Sequence, residues 1–234
     1  MFTEKQNGSV VYLTSSLLAC PHGFSTRAGG VSAAPHLASM NFAPREDDPD
    51  SVTENYRRFT AAVSLPGAVA AASQVHGSDV LTVRRDDLPA LALSPVLRPL
   101  PEADGFVTAE KGVTLCVKIA DCVPLLLWDG EVGVVCALHA GWRGSAAGIA
   151  LRGVEAMTAH GARPARTVCA VGPSIHPCCF EVGEDFVRDF RRLLGAPVAD
   201  RFLSERCTDR PSPAFSAGKR RVFADLQEIG RAHV

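Results

Sequence analysis

No apolar run of about 18 residues occurs in this 234-residue chain, so no segment has the composition of a membrane-spanning helix. Charge of one sign is not in excess either. The 24 Lys and Arg face 25 Asp and Glu, for a formal net charge of −1. That removes the electrostatic footprint expected of a protein that binds nucleic acid or an anionic membrane. The opening residues, MFTEKQNGSVVYL, lack a basic start, an apolar stretch and a small-residue cleavage site, so the chain reads as unsecreted and cytoplasmic. Among eight cysteines there is no CxxC pair, and among seven histidines no HxxxH, so a zinc ribbon and a short helical metal motif are both excluded. No internal repeat and no linker interrupts the chain, and one domain is the simplest organisation.

What remains is an ordinary globular balance of 47% hydrophobic and 21% charged residues, which excludes disorder, collagen and coiled coil. Most cysteines sit in apolar runs such as VTLCVKI and VGVVCALH, where they read as small buried hydrophobes in a reducing compartment. Strands are expected at Val10–Leu13, Val80–Val83, Val113–Ile119, Leu125–Trp128, Val132–Leu138 and Val168–Val171, with Asp129-Gly130 as a hairpin turn. A helix is expected from about Ser51, with Glu54 completing a capping box and Val52, Tyr56, Phe59 and Val63 on its apolar face. Another starts near Glu184, with Phe186, Val187, Phe190, Leu193 and Leu194 on one face. Prolines 89, 95, 99 and 101 predict an extended loop between Asp86 and Glu102.

Chemistry-bearing residues gather where strands should stop. Gln74-Val75-His76-Gly77, Ala120-Asp121-Cys122 and His139-Ala140-Gly141-Trp142-Arg143-Gly144 are three such segments. His76, Cys122 and His139 offer two imidazoles and a thiolate, a donor set suited to a borderline-soft cation with one position left open. Their wide spacing equally fits two hydrogen-bonded histidines and a buried thiol. Arg143 lies in a glycine-bracketed turn entering a helix that starts near Ser145, a setting that favours an anion or a plain solvated turn. Arg27, in Ser25-Thr26-Arg27-Ala28-Gly29-Gly30, has the same two readings. Asp121 reads as a general base or a cap. Cys178-Cys179 is a vicinal pair read as a loop-and-core pair without chemistry, and His22, His36, His160 and His176 as surface or hydrogen-bonded residues.

Several of these segments fall in an ordered set of longer motifs: STRAGGVS at 25–32, MNFAP at 40–44, SQVHG at 73–77, ADGFVT at 103–108, ADCVPLLLWD at 120–129, HAGWRG at 139–144, then GPSI and CFEVG at 172–175 and 179–183. From about Phe24 to Leu226 the chain resembles the YfiH-type laccase-domain family, regarded as zinc-containing purine nucleoside phosphorylases. The resemblance implies an α+β fold, a four-layer α/β/β/α sandwich with mixed sheets between helices. It implies metal ligation by His76, Cys122 and His139, with zinc as the metal and copper as the alternative. It implies phosphorolysis of adenosine, guanosine or inosine to free base and ribose 1-phosphate, with 5′-methylthioadenosine phosphorolysis and adenosine deamination as further activities. The expected partners are purine nucleosides and phosphate.

Within that frame Asp121, Cys122 and Arg143 are the catalytic candidates, and Arg27, Asn41, Gln74 and Arg143 the substrate-binding ones. The older label for the family is a copper polyphenol oxidase. A multicopper enzyme calls for many imidazoles in His-x-His pairs, and no such pair occurs here. A non-catalytic metal-binding protein is the third class. The chain departs from the family after Phe223-Ala224-Asp225-Leu226, where a further helix and segment are usual. The terminal heptapeptide EIGRAHV matches the in-frame reading of a sequencing adapter. The expectation is therefore one domain over residues 1–227 and an artefactual tail over 228–234.

Overall fold

The longest uninterrupted apolar stretches become the centre of the protein. In the computed structural model, which describes residues 1–44, 47–65, 68–87, 101–204 and 222–224, VPLLLWD forms strand β8 (Val123–Asp129) and VVCALHA forms β9 (Val134–Ala140). Earlier in the chain come β1 (Phe2–Asn7), β2 (Val10–Ser15), β3 (Phe24–Ser25), helix α1 (Pro49–Val63), β4 (Ala68–Ala70), β5 (Val80–Thr82), β6 (Gly105–Thr108) and β7 (Val113–Leu115). Later come helices α2 (Trp142–Ala146) and α3 (Ile149–Ala159), β10 (Val168–Val171), β11 (Glu181–Val182), α4 (Glu184–Leu194), α5 (Ala196–Ala199), β12 (Leu203–Ser204) and β13 (Val222–Ala224).

β8 and β9 pair antiparallel from Val123↔Ala140 to Asp129↔Val134 and form the middle of a five-stranded sheet ordered β10-β8-β9-β6-β5. β10–β8 and β6–β9 are antiparallel and β5–β6 is parallel, so the sheet is mixed. Leu125, Leu127, Leu138, Ile149, Met157 and Phe190 are fully buried between this sheet and the helices. Each is worth about 1.5–3 kcal/mol relative to exposure. Gly153 lets α3 approach closely, since a Cβ there would meet Leu138 Cδ1 at 2.6 Å. A second sheet, β1-β2-β3, meets α1 through Tyr12, Phe42 and Phe59. The mixed α+β class with mixed sheets is as expected.

Several boundaries differ from the sequence expectation. α1 is capped by Asp48, whose carboxylate accepts from the Ser51 N–H at 2.9 Å, and not by Ser51. Pro49 opens the first turn, where its missing N–H costs nothing. Glu54, expected to close a capping box, pairs instead with Arg57 and Arg58. β7 stops at Leu115 rather than Ile119, because the Lys118 N–H turns away to Gln74 Oε1 at 2.7 Å. β9 starts at Val134, since Gly133 at φ +70° still belongs to the turn. Ser145 sits inside α2, whose N-cap is Gly141. Residues 88–100 of the proline-rich loop expected between Asp86 and Glu102, and the expected tail over 228–234, lie outside the described residues. No helix among the described residues is long and apolar enough to cross a membrane.

Candidate metal centre and pocket

Where β9 ends, its last residues meet the start of β6. His139 is 3% exposed, and its backbone N–H donates to the Asp104 carbonyl at 2.7 Å. The His139 Nδ1–H donates to Asp104 Oδ1, also at 2.7 Å. That bond sets the tautomer and turns the Nε2 lone pair away from Asp104, as a metal-ligating histidine requires. Asp104 itself is 0% exposed and accepts three further bonds, from the backbone N–H groups of Val75, His76 and Gly77 at 3.2, 3.0 and 2.7 Å. One carboxylate therefore orients His139 and wraps the turn that carries His76. His76 is held at φ +60°, a left-handed conformation that costs a non-glycine residue about 1–2 kcal/mol. The three charge-assisted bonds offset this.

Cys122 precedes β8, beside the Val123↔Ala140 pair that brings the strand end of β8 to that of β9. The donor atoms of His76, Cys122 and His139 all lie within 4.8 Å of one another. Four-coordinate zinc with bonds of about 2.0–2.3 Å separates its donors by roughly 3.5 Å, so small side-chain rotations close the set. The glycines of HAGWRG make room for this. A Cβ at Gly141 would meet His76 Cδ2 at 2.8 Å and Cys122 Sγ at 3.3 Å, and a Cβ at Gly144 would strike the Gly77 carbonyl. The space these glycines leave is thus filled by the protein's own His76 turn.

The electrostatics fit a cation. Burial pushes His139 down from its ordinary range against the pull of Asp104, which favours the neutral imidazole a metal needs. Burial first, and then the carboxylates of Asp121 and Asp104, push the Cys122 thiol up. A divalent cation at this point reverses that preference and holds the thiolate.

The cluster opens onto a pocket of about 400 Å³ lined by Val75, His76, Asp121, Cys122, Trp142, Arg143 and Phe180. The Arg143 guanidinium lies 4.2 Å above the Trp142 ring, and among the described residues it makes no ion pair. The structure thus joins His76, Asp121, Cys122, His139 and Arg143 in one place. It does not bring the other candidates to the pocket wall. Arg27 donates Nε to the Ala38 carbonyl at 2.8 Å and Nη2 to the Pro35 carbonyl at 3.4 Å. Asn41 bonds Asp47 and the Ala43 backbone. Gln74 clamps the Lys118 peptide with both ends of its amide, at 2.7 Å each. Asp104 is the site residue that motif reading left without a role. The available signal was an acid just before a strand, at the end where three histidine- and cysteine-bearing segments also stop.

Fold and site together define a mixed α+β protein with a His-Cys-His cluster, able to hold a metal ion, at the end of its central sheet. The chain belongs to the family described as multi-copper polyphenol oxidoreductase laccase, whose model it matches over residues 21–233. It is 45% identical over 186 residues to a Deinococcus radiodurans protein named purine nucleoside phosphorylase, covering 79% of this chain and 68% of that one. A Streptomyces coelicolor protein of the same name is 41% identical over 211 residues, covering 89% of this chain and 80% of the relative. The crystal structure of YlmD from Geobacillus stearothermophilus superposes with a TM-score of 0.76 at 29% identity, over 98% of this chain and 82% of that one.

Proposed function

We propose that this protein is a purine nucleoside phosphorylase that uses a zinc ion held by His76, Cys122 and His139. The observation that carries the reading is the pocket itself. It runs from two of the three metal donors to an arginine, between the apolar walls of Val75, Trp142 and Phe180. A flat purine suits those walls, and a sugar and an anion suit the polar end. One thiolate and two imidazoles favour zinc over harder cations.

Phosphorolysis places phosphate against C1′ while the base departs with the bonding electrons. Arg143 offers its guanidinium donors to the phosphate oxygens, and its stacking on Trp142 restricts where that charge can sit. Asp121 lines the pocket beside Cys122 and in this reading exchanges a proton with the departing base. Asp104 keeps His139 and the His76 turn in position throughout. A cation held by His76, Cys122 and His139 would supply a Lewis acid and could acidify water, the chemistry that adenosine deamination in the same pocket would call for. Phosphorolysis of 5′-methylthioadenosine belongs to the same reading, as does a cytoplasmic location. In this scheme Arg27 and Asn41 bond loop carbonyls and Asp47 rather than touch substrate.

The test is release of adenine from adenosine with and without phosphate. Product formed only with phosphate, as ribose 1-phosphate, is the expected outcome; equal release without phosphate means hydrolysis and overturns it. Arg143→Ala removes a charge-assisted contact worth about 1.5–3 kcal/mol, so the phosphate requirement rises roughly ten- to a hundredfold. The copper polyphenol oxidase reading has the family's description in its favour. Phenol oxidation by the copper-loaded protein, with no base release, would establish it instead. A protein that binds metal and does neither would be the non-catalytic case.

A further inference from the structure

Neighbouring side chains on an extended strand point to opposite faces, so two adjacent cysteines do not normally bring their sulfurs together. Here they do. The chain turns at His176, whose carbonyl accepts the Cys179 N–H at 2.9 Å and the Phe180 N–H at 3.1 Å. The turn folds the Cys178 and Cys179 sulfurs onto one side, 3.5 Å apart, with Cys179 exposed and Cys178 half-buried. Both ends of this turn are tied to the pocket. Before it, the Ile175 N–H donates to the Asp121 carbonyl at 2.9 Å. After it, Phe180 forms part of the pocket wall and packs edge-on against Phe186 at 5.7 Å.

We propose that Cys178 and Cys179 form a redox-active dithiol, a modification site for small disulfide oxidants that reshapes the Phe180 wall of the pocket. The step balances without other reagents. The Cys179 thiolate attacks oxidised glutathione, forming a mixed disulfide and releasing one glutathione thiol. The Cys178 sulfur then attacks the Cys179 sulfur and releases the second. Two S–H bonds and one S–S bond break, one protein S–S bond and two glutathione S–H bonds form, and two electrons pass to glutathione.

Adjacent Cα atoms lie about 3.8 Å apart, shorter than the span of about 4.4–6.8 Å usual for a disulfide. Closing the ring therefore distorts the turn, and the bond is easily reduced, as a reversible switch requires. The other described thiols are poor competitors. Burial pushes Cys20, Cys116 and Cys136 up, and Cys169 up to about 11. Cys122 is a metal donor in the loaded protein.

The test treats the metal-loaded protein with stepwise oxidised glutathione. Expected is loss of two thiols first, with the tryptic peptide 167–188 lighter by two hydrogens, no lasting glutathione adduct, and full reversal by dithiothreitol. Cys178→Ser or Cys179→Ser should stop that loss and leave a stable adduct on the remaining thiol. In a second arm, which rests on the phosphorolysis reading, oxidation should slow adenine release at least about tenfold in the wild type and not in either variant, as expected for a displaced pocket wall. A pair that stays reduced while other thiols react, or a bond to Cys169, overturns the dithiol. A closed bond with unchanged adenine release overturns its hold on the pocket. The thiol count stands even if the protein has no phosphorolytic activity.

Discussion

The two ends of the β8–β9 ladder each hold an aspartate that is 0% exposed, and they are satisfied by different chemistry. At the hairpin end, Asp129 accepts the Glu131 and Arg163 backbone N–H groups and the Arg166 guanidinium, whose Nη2 lies at 3.0 Å. Arg166 also pairs with Glu131. At the other end, Asp104 accepts three backbone N–H groups and the His139 imidazole, and among the described residues it has no Arg or Lys ion pair. Both acids have enough donors. Only Asp129 has a protein cation to offset its charge. A carboxylate without an Arg or Lys partner behind two imidazoles and a thiol fits the proposed metal site, where a bound cation would offset its charge. The hairpin acid stabilises a turn; the other orients a His-Cys-His cluster that could hold a metal ion.

Breaking the ligand set is the harshest test of this contrast. The wild-type protein should purify with about one zinc per chain, and His139→Ala should lose most of it with its far-ultraviolet circular dichroism unchanged. Full occupancy in that variant would remove the cluster from consideration. Asp104→Asn comes next. Asparagine presents one acceptor oxygen and turns an NH₂ toward backbone N–H groups, so it cannot hold His139 and the 75–77 turn together. Chelator competition should show zinc affinity lowered about 10–100-fold. Asp129→Asn should leave zinc affinity unchanged and lower the melting temperature by several degrees. Equal loss of zinc in both variants would mean that the two aspartates differ in nothing but address.

The same contrast explains what could be read in advance. The central strands, the α1 apolar face and part of α4 were legible because a 2-residue or 3.6-residue period survives into burial; on α4 Phe190 is buried and Phe186, Val187 and Leu194 are half-buried, but Leu193, expected on the same face, is exposed. The three candidate metal donors were legible as chemistry at strand ends, although only the fold shows that segments separated by tens of residues converge. Asp104 was hidden because its role lies in accepting N–H groups from a segment far away in sequence. Arg27 and Arg143 were indistinguishable, since each sits in a glycine-rich loop. What separates them is expenditure of donors: Arg27 gives Nε and Nη2 to carbonyls, whereas Arg143 stacks on Trp142 at the pocket. Arg27→Ala should therefore leave the phosphate requirement unchanged while Arg143→Ala raises it. Equal effects on the steady-state phosphate dependence would return Arg27 to the substrate site.

The smallest expected effect is a pH dependence confined to the hairpin end. The Arg163 N–H bond, and then Arg166, hold the Asp129 carboxyl below its ordinary range. A depressed carboxyl contributes stability that is fully present above its unfolded pKa, about 3.9, and is lost as pH falls through its lower folded value. The gap in melting temperature between wild type and Asp129→Asn should therefore be constant near neutrality and narrow as pH falls below about 4. Glu54 titrates in the same window, pulled down to about 2 by Arg57 and Arg58. Those pairs are solvent-facing, so salt near 1 M, where the Debye length is about 3 Å, screens them and leaves the shielded Asp129 interaction in view. The measurement is a series of melts of the two proteins in high salt at stepped pH. A gap that does not narrow would show that Asp129 acts through shape and hydrogen bonding alone, and its charge would then play no part in setting it apart from Asp104.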